Sequence, residues 1–110
     1  MVDTVTSLVQ LRELTQIDGD LIISHTASLL DLSGLENLVT VTGRVTIAMN
    51  DSLETLHGLN SLQEVGELWI NGNQNLTTLQ GLNALQNIHG NTVIWQNEIL
   101  TDLELSLIHI

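Results

Sequence analysis

The sequence has no cysteine, no proline, no phenylalanine and no tyrosine. The first absence excludes a disulfide framework and any thiolate metal site. The loss of Phe and Tyr leaves Trp69 and Trp95 as the aromatic residues, so a core has to be assembled from Leu, Ile and Val. Lysine is missing too, and arginine occurs only as Arg12 and Arg44 against thirteen acidic residues, for a formal charge of -11. Nucleic acids and other polyanions are excluded as partners by that balance, because phosphate binding needs clustered cations that release counterions. The acidity reads as a soluble, self-repelling surface. No apolar run approaches the ~20 residues of a membrane-spanning helix. The opening residues MVDTVTSLVQ lack the basic start and apolar stretch of a signal peptide.

What is present is a period. The segments 17–40, 41–64 and 65–87 align at lengths of 24, 24 and 23 residues, and a partial fourth copy begins at Ile88. Leu29, Leu53, Leu76 and Leu100 form one column, and Leu32, Leu56, Leu79 and Leu103 another. Further columns hold Leu35, Leu59 and Leu82, then Leu38, Leu62 and Leu85, then Ile17, Val41, Val65 and Ile88. Val5, Leu8, Leu11 and Leu14 continue the spacing towards the N-terminus. Self-similarity at a fixed period of this length marks a solenoid, in which each repeat buries its apolar side against its neighbours.

After the glycines at 19, 43, 66 and 90, side chains alternate in character, as in Leu21-Ile22-Ile23-Ser24. Period-two alternation predicts a strand, and one strand per repeat with constant polarity predicts a parallel sheet with rungs ~4.8 Å apart. The glycines suit a sharp bend or positive φ, and a second glycine column at 34, 58 and 81 marks another corner. Between that corner and the next strand, Leu-x-x-Leu-x-x-Val spacing fits a short helical or 3₁₀ turn. Asn50, Asn73 and Asn97 share a column just after the strand, where stacked amides can bond from turn to turn; Thr26 stands there in the first copy.

The resulting pattern, G-x-L-x-I-x-x-N-x-x-L-x-x-L-x-G-L-x-x-L-x-x-I, resembles the receptor L-domain repeat, and is most similar to the arrays of bacterial surface proteins. The resemblance covers about residues 2 to 104 and implies a mainly β repeat solenoid, a right-handed parallel β-helix or L-domain-like coil. It also implies an extracellular or cell-surface setting. Residues 1–104 are expected to form a partial array of about four turns, truncated at both ends. In the last six residues, LSLIHI, Ser106 stands where the register calls for Leu. That hexapeptide resembles the in-frame translation of a sequencing adapter, so 105–110 is expected to be a non-native tail.

Candidate chemistry is sparse. His25, His57, His89 and His109 fall in different columns, so no metal site and no cofactor are expected. The acids sit mostly at corners and do not face one another as a catalytic pair would. Asp20, Arg44, Glu67 and Asn91 form one column, which places Arg44 between two carboxylates, and Arg12 aligns with Glu36. A polysaccharide lyase of β-helix architecture would need free basic residues to abstract a proton and neutralise uronates, so an enzyme is not expected. Alternation puts Trp69 on the outer sheet face in a column with Ile22, Thr46 and Val93, and Trp95 outward beside Asn71. Ile22, Thr46, Trp69, Val93 and Trp95 are therefore the candidate binding face, for a protein or glycan ligand. The expected function is a non-catalytic recognition or adhesion module of a larger cell-surface or secreted protein. The alternative is a structural spacer that carries a separate functional domain.

Overall fold

A computed structural model describes residues 11–97. Val5, Leu8, Leu100, Leu103, His109 and the 105–110 segment lie outside the described residues. The chain forms strands β1 (Gln16–Ile17), β2 (Leu21–Ser24), β3 (Thr40–Ala48), β4 (Glu64–Asn71), β5 (Asn87–Ile88) and β6 (Thr92–Trp95). All pairings are parallel within one sheet: β1 and β2 pair with β3, β3 with β4, and β4 with both β5 and β6. The pieces β1 and β2 thus make one rung, as do β5 and β6. The molecule is a β-solenoid of about three turns, with about 24 residues per turn and no α-helix among the described residues.

Leu21 pairs with Val45, Val45 with Leu68 and Leu68 with Thr92, which is the register that the repeat columns predict. The one irregularity lies between Val41 and Arg44, where β3 bulges against β4. Thr42 and Gly43 there oppose Gly66 alone, so the residue missing from the shorter repeat is missing at this bulge. Inward side chains of every rung meet the leucine columns of the opposite wall. Leu29, Leu32, Leu35 and Leu38, with their counterparts one and two turns on, are all at most 3% exposed. With neither Phe nor Tyr in the chain, leucines stacked at a constant rise fill this interior beside the inward Ile and Val of the strands.

The leucine-bearing wall is a series of single turns. Leu35 N–H donates to Leu32 O at 3.3 Å and Leu38 N–H to Leu35 O at 3.1 Å, and Leu59, Leu62, Leu82 and Leu85 repeat the bond. The expected helical or 3₁₀ corners are thus i→i+3 turns sharing leucines. The first turn of each pair has a glycine as its third residue, and the glycine N–H is capped by the side chain two residues on: Glu36 for Gly34, Asn60 for Gly58 and Asn83 for Gly81. Gly58 has φ of +121°, and a Cβ there would stand 1.9 Å from Leu32 O of the preceding turn. In the other glycine column only Gly19 has positive φ; at Gly43 and Gly66 the backbones simply approach too closely for a side chain.

Thr26, Asn50, Asn73 and Asn97 form a continuous ladder beside the core. Each asparagine oxygen accepts from the backbone N–H of the rung before it, and each Nδ2 donates to a strand carbonyl of that rung, Ile23, Ile47 or Ile70. Thr26 does not interrupt the ladder: its hydroxyl donates to Asn50 Oδ1 at 2.7 Å. Just before it, His25, Met49, Gly72 and Gln96 share one column and all have φ between 56° and 70°. The chain turns the corner there through a left-handed residue on every rung.

Candidate functional site

Alternation in the strands sends Leu21 and Ile23 inward and Ile22 outward, and the pattern repeats rung by rung. Ile22, Thr46, Trp69 and Val93 are consecutive partners across the sheet, and Trp95 pairs with Asn71 in the neighbouring column. The structure therefore places all five candidate residues on the outer face of the sheet. Their exposure differs. Ile22 is 51% and Trp95 52% exposed, whereas Thr46, Trp69 and Val93 are half-buried.

Trp69 is held by its neighbours. The Arg44 guanidinium lies over its ring, 4.2 Å from the centroid. Its Nε1–H donates to Glu67 Oε1 at 3.0 Å, and the same oxygen accepts from Arg44 Nε at 3.3 Å. Glu67 and Trp69 are two residues apart on one strand and so project to the same side, while Arg44 reaches them from the adjoining rung. The three side chains form a closed clasp, which fixes one face of the indole against the cation.

Asp20 takes another role than the expected ion pair. Its Oδ1 accepts from the backbone N–H of Arg44 at 2.8 Å, because the short carboxylate reaches the main chain of the next rung. The expected pairing of Arg12 with Glu36 is likewise replaced. Glu36 accepts from Gly34 N–H, and Arg12 meets that turn through its carbonyl, which accepts from Asn37 Nδ2 at 2.6 Å.

Where β3 bulges against β4, Asp20, Thr42, Arg44, Glu67 and His89 surround a shallow open groove floored by Gly43, Gly66 and Gly90. A side chain at Gly43 or Gly66 would fill this floor and strike the backbone of the previous rung. His89 Nε2 lies 2.7 Å from Glu64 Oε2 on the exposed surface. His25 and His57 lie on other rungs and do not join it. Among the described residues, no group of three or more His, Asp or Glu side chains could hold a metal ion.

Met49, which the repeat columns do not single out, lies at the corner just after β3, near His25, Ala27 and Asp51. It is 42% exposed, and its sulfur overhangs Gly72, where an added Cβ would lie 2.6 Å from Sδ. The available signal was the glycine in its own column, a mark of left-handed backbone that turns the residue outwards.

No protein-family model matches the chain, and no curated protein and no solved structure is similar to it at a significant level.

Proposed function

We propose that this chain is a non-catalytic recognition or adhesion module, a coil of the receptor L-domain kind from a larger cell-surface or secreted protein. It presents the outer face of its parallel sheet to a protein or glycan partner. The observation that carries this reading is Trp95, a large aromatic left 52% exposed on a flat sheet whose neighbouring column holds Ile22, 51% exposed. Exposed aromatic and apolar side chains gathered on one rigid surface mark contact sites, since tryptophan offers a large contact area with few rotamers to immobilise. The stacked core and asparagine ladder hold that face in place, which lowers the entropy lost on binding.

The testing experiment is binding of the labelled chain to intact cells and to extracellular glycans and proteins, alongside the W69A/W95A double variant. The variant is expected to keep the β-sheet circular dichroism and to lose binding by at least about tenfold, or ~1.4 kcal/mol. Equal binding by the two would remove the reading. The same ladder and columns also favour a second reading, a spacer whose repeats set length and stiffness for another domain. A spacer would show no ligand dependent on the outer face.

A further inference from the structure

Building on the recognition reading, we propose that the outer face takes a neutral oligosaccharide, laid from the glycine-floored groove past Trp69 to Trp95. The clasp supplies the polar half of such a site. Glu67 Oε1 is used twice, but Glu67 Oε2 and the Arg44 Nη groups make no hydrogen bond to any described residue, and these side chains are 33% and 45% exposed. A carboxylate that only accepts and a guanidinium that only donates, held side by side, match neighbouring sugar hydroxyls, each of which both donates and accepts. Trp95 supplies the apolar half, an exposed ring for the C–H face of a sugar. Glu67 stands opposite Asn91, and Trp95 lies four residues further along that rung. The two ends of the site are therefore ~13 Å apart along the strand and one ~4.8 Å rung across, the span of an oligosaccharide rather than a single ring.

Two other occupants fit less well. A polyanionic glycan would meet a formal charge of -11 and a groove in which Arg44 is matched by Glu67 and Asp20. An extended peptide binds by adding to an open strand edge and a helix by filling an apolar groove. Strand addition would use the edge of the sheet and not its outer face, and on that face Arg44, Glu67 and Thr46 break up the apolar residues.

The chain's two tryptophans both lie in the site, so its fluorescence reports occupancy directly. The whole chain is titrated with cellohexaose, laminarihexaose, chitohexaose and mannohexaose, with hexagalacturonate as the anionic control, and binding is confirmed by calorimetry. The expected result is saturable binding of at least one neutral hexasaccharide and none of hexagalacturonate. W95A should weaken that binding about tenfold and E67Q measurably, with circular dichroism unchanged. No saturable binding of any neutral hexasaccharide, or binding that W95A and E67Q leave intact, overturns the proposal. If the saccharides fail while a protein ligand is lost on W69A/W95A, the glycan assignment falls and the recognition reading stands. If no ligand of either class depends on the tryptophans, both fall.

Discussion

Asn50 and Asn73 are joined twice: Asn73 Oδ1 accepts both the backbone N–H and the side-chain Nδ2–H of Asn50, each at 3.1 Å. Asn73 Nδ2 meanwhile donates to Ile47 O at 2.9 Å, and both asparagines are fully buried. One side chain therefore bonds three polar groups at a position closed to solvent. Burying such groups without partners costs ~1–3 kcal/mol each, far more than a satisfied bond contributes net. The ladder is thus less a source of attraction than the condition for burying a corner of backbone beside a leucine core.

Replacing Asn73 by alanine should accordingly destabilise the fold by about 3 kcal/mol, since it takes the partner from Asn50 N, the side-chain donor from Ile47 O and one of the two bonds from Asn50 Nδ2, which keeps Ile23 O. Asn97→Ala removes similar bonds at a half-buried position that water can reach, and should cost about 1–2 kcal/mol. Urea unfolding checks both, through a lower midpoint at unchanged slope. Equal losses at the two positions would contradict this account of the ladder.

The glycine columns predict an unequal response to the same substitution. Gly58 combines φ of +121° with a carbonyl 1.9 Å from where a Cβ would sit, so Gly58→Ala must push two turns apart. Gly19 has φ of +132° but nothing within 4 Å of its Cβ position, so Gly19→Ala meets backbone strain alone, about 1–3 kcal/mol. Gly58→Ala is expected to lose several kcal/mol or to yield no folded chain. Thermal unfolding of the two variants, followed by circular dichroism, gives the comparison.

What the sequence made legible was whatever depends on position modulo the repeat. The leucine columns, the strand register and the asparagine ladder all follow from identical residue types at constant spacing, and Val45, Leu68 and Leu53 stand where that spacing puts them. Side-chain reach was not legible in the same way. Asp20 and Glu67 occupy equivalent places on either side of Arg44, yet one methylene decides that the shorter acid binds the backbone and the longer one the guanidinium. The unequal exposure of the two tryptophans reflects both the Arg44–Glu67 pair that lies against Trp69 and the rungs on either side of it, whereas Trp95 has one neighbouring rung among the described residues. Backbone handedness at His25, Met49 and Gln96 was hidden for another reason: Gly72 alone in that column advertises it.

The clasp itself makes a modest, salt-sensitive contribution. Arg44 and Glu67 are partly exposed, so a double-mutant cycle with Arg44→Ala and Glu67→Ala should give a coupling of only about 0.2–1 kcal/mol. That coupling should shrink as ionic strength rises, because solvent screens such a pair. Removing the guanidinium also uncovers the Trp69 ring, so in a Trp95→Phe background the emission of Arg44→Ala should shift to the red. An unshifted spectrum would mean that the cation does not cover the indole in solution.

Thr92 is the odd member of the inward column Leu21, Val45, Leu68, Thr92. Its three counterparts are buried aliphatic residues, while its own hydroxyl is buried and finds no hydrogen-bond partner in the described structure. Valine has nearly the same shape and replaces that hydroxyl with a methyl that the neighbouring Leu68 can pack against. The exchange removes an unsatisfied polar group and leaves no cavity, so Thr92→Val should raise stability by about 1 kcal/mol or more. The complementary change, Val45→Thr, puts a hydroxyl into a fully buried middle rung and should cost about 1–3 kcal/mol. Measured by urea midpoints, the two substitutions should move in opposite directions. A loss of stability in Thr92→Val would show instead that the hydroxyl has a partner and that the last described rung is not simply a weaker copy of those before it.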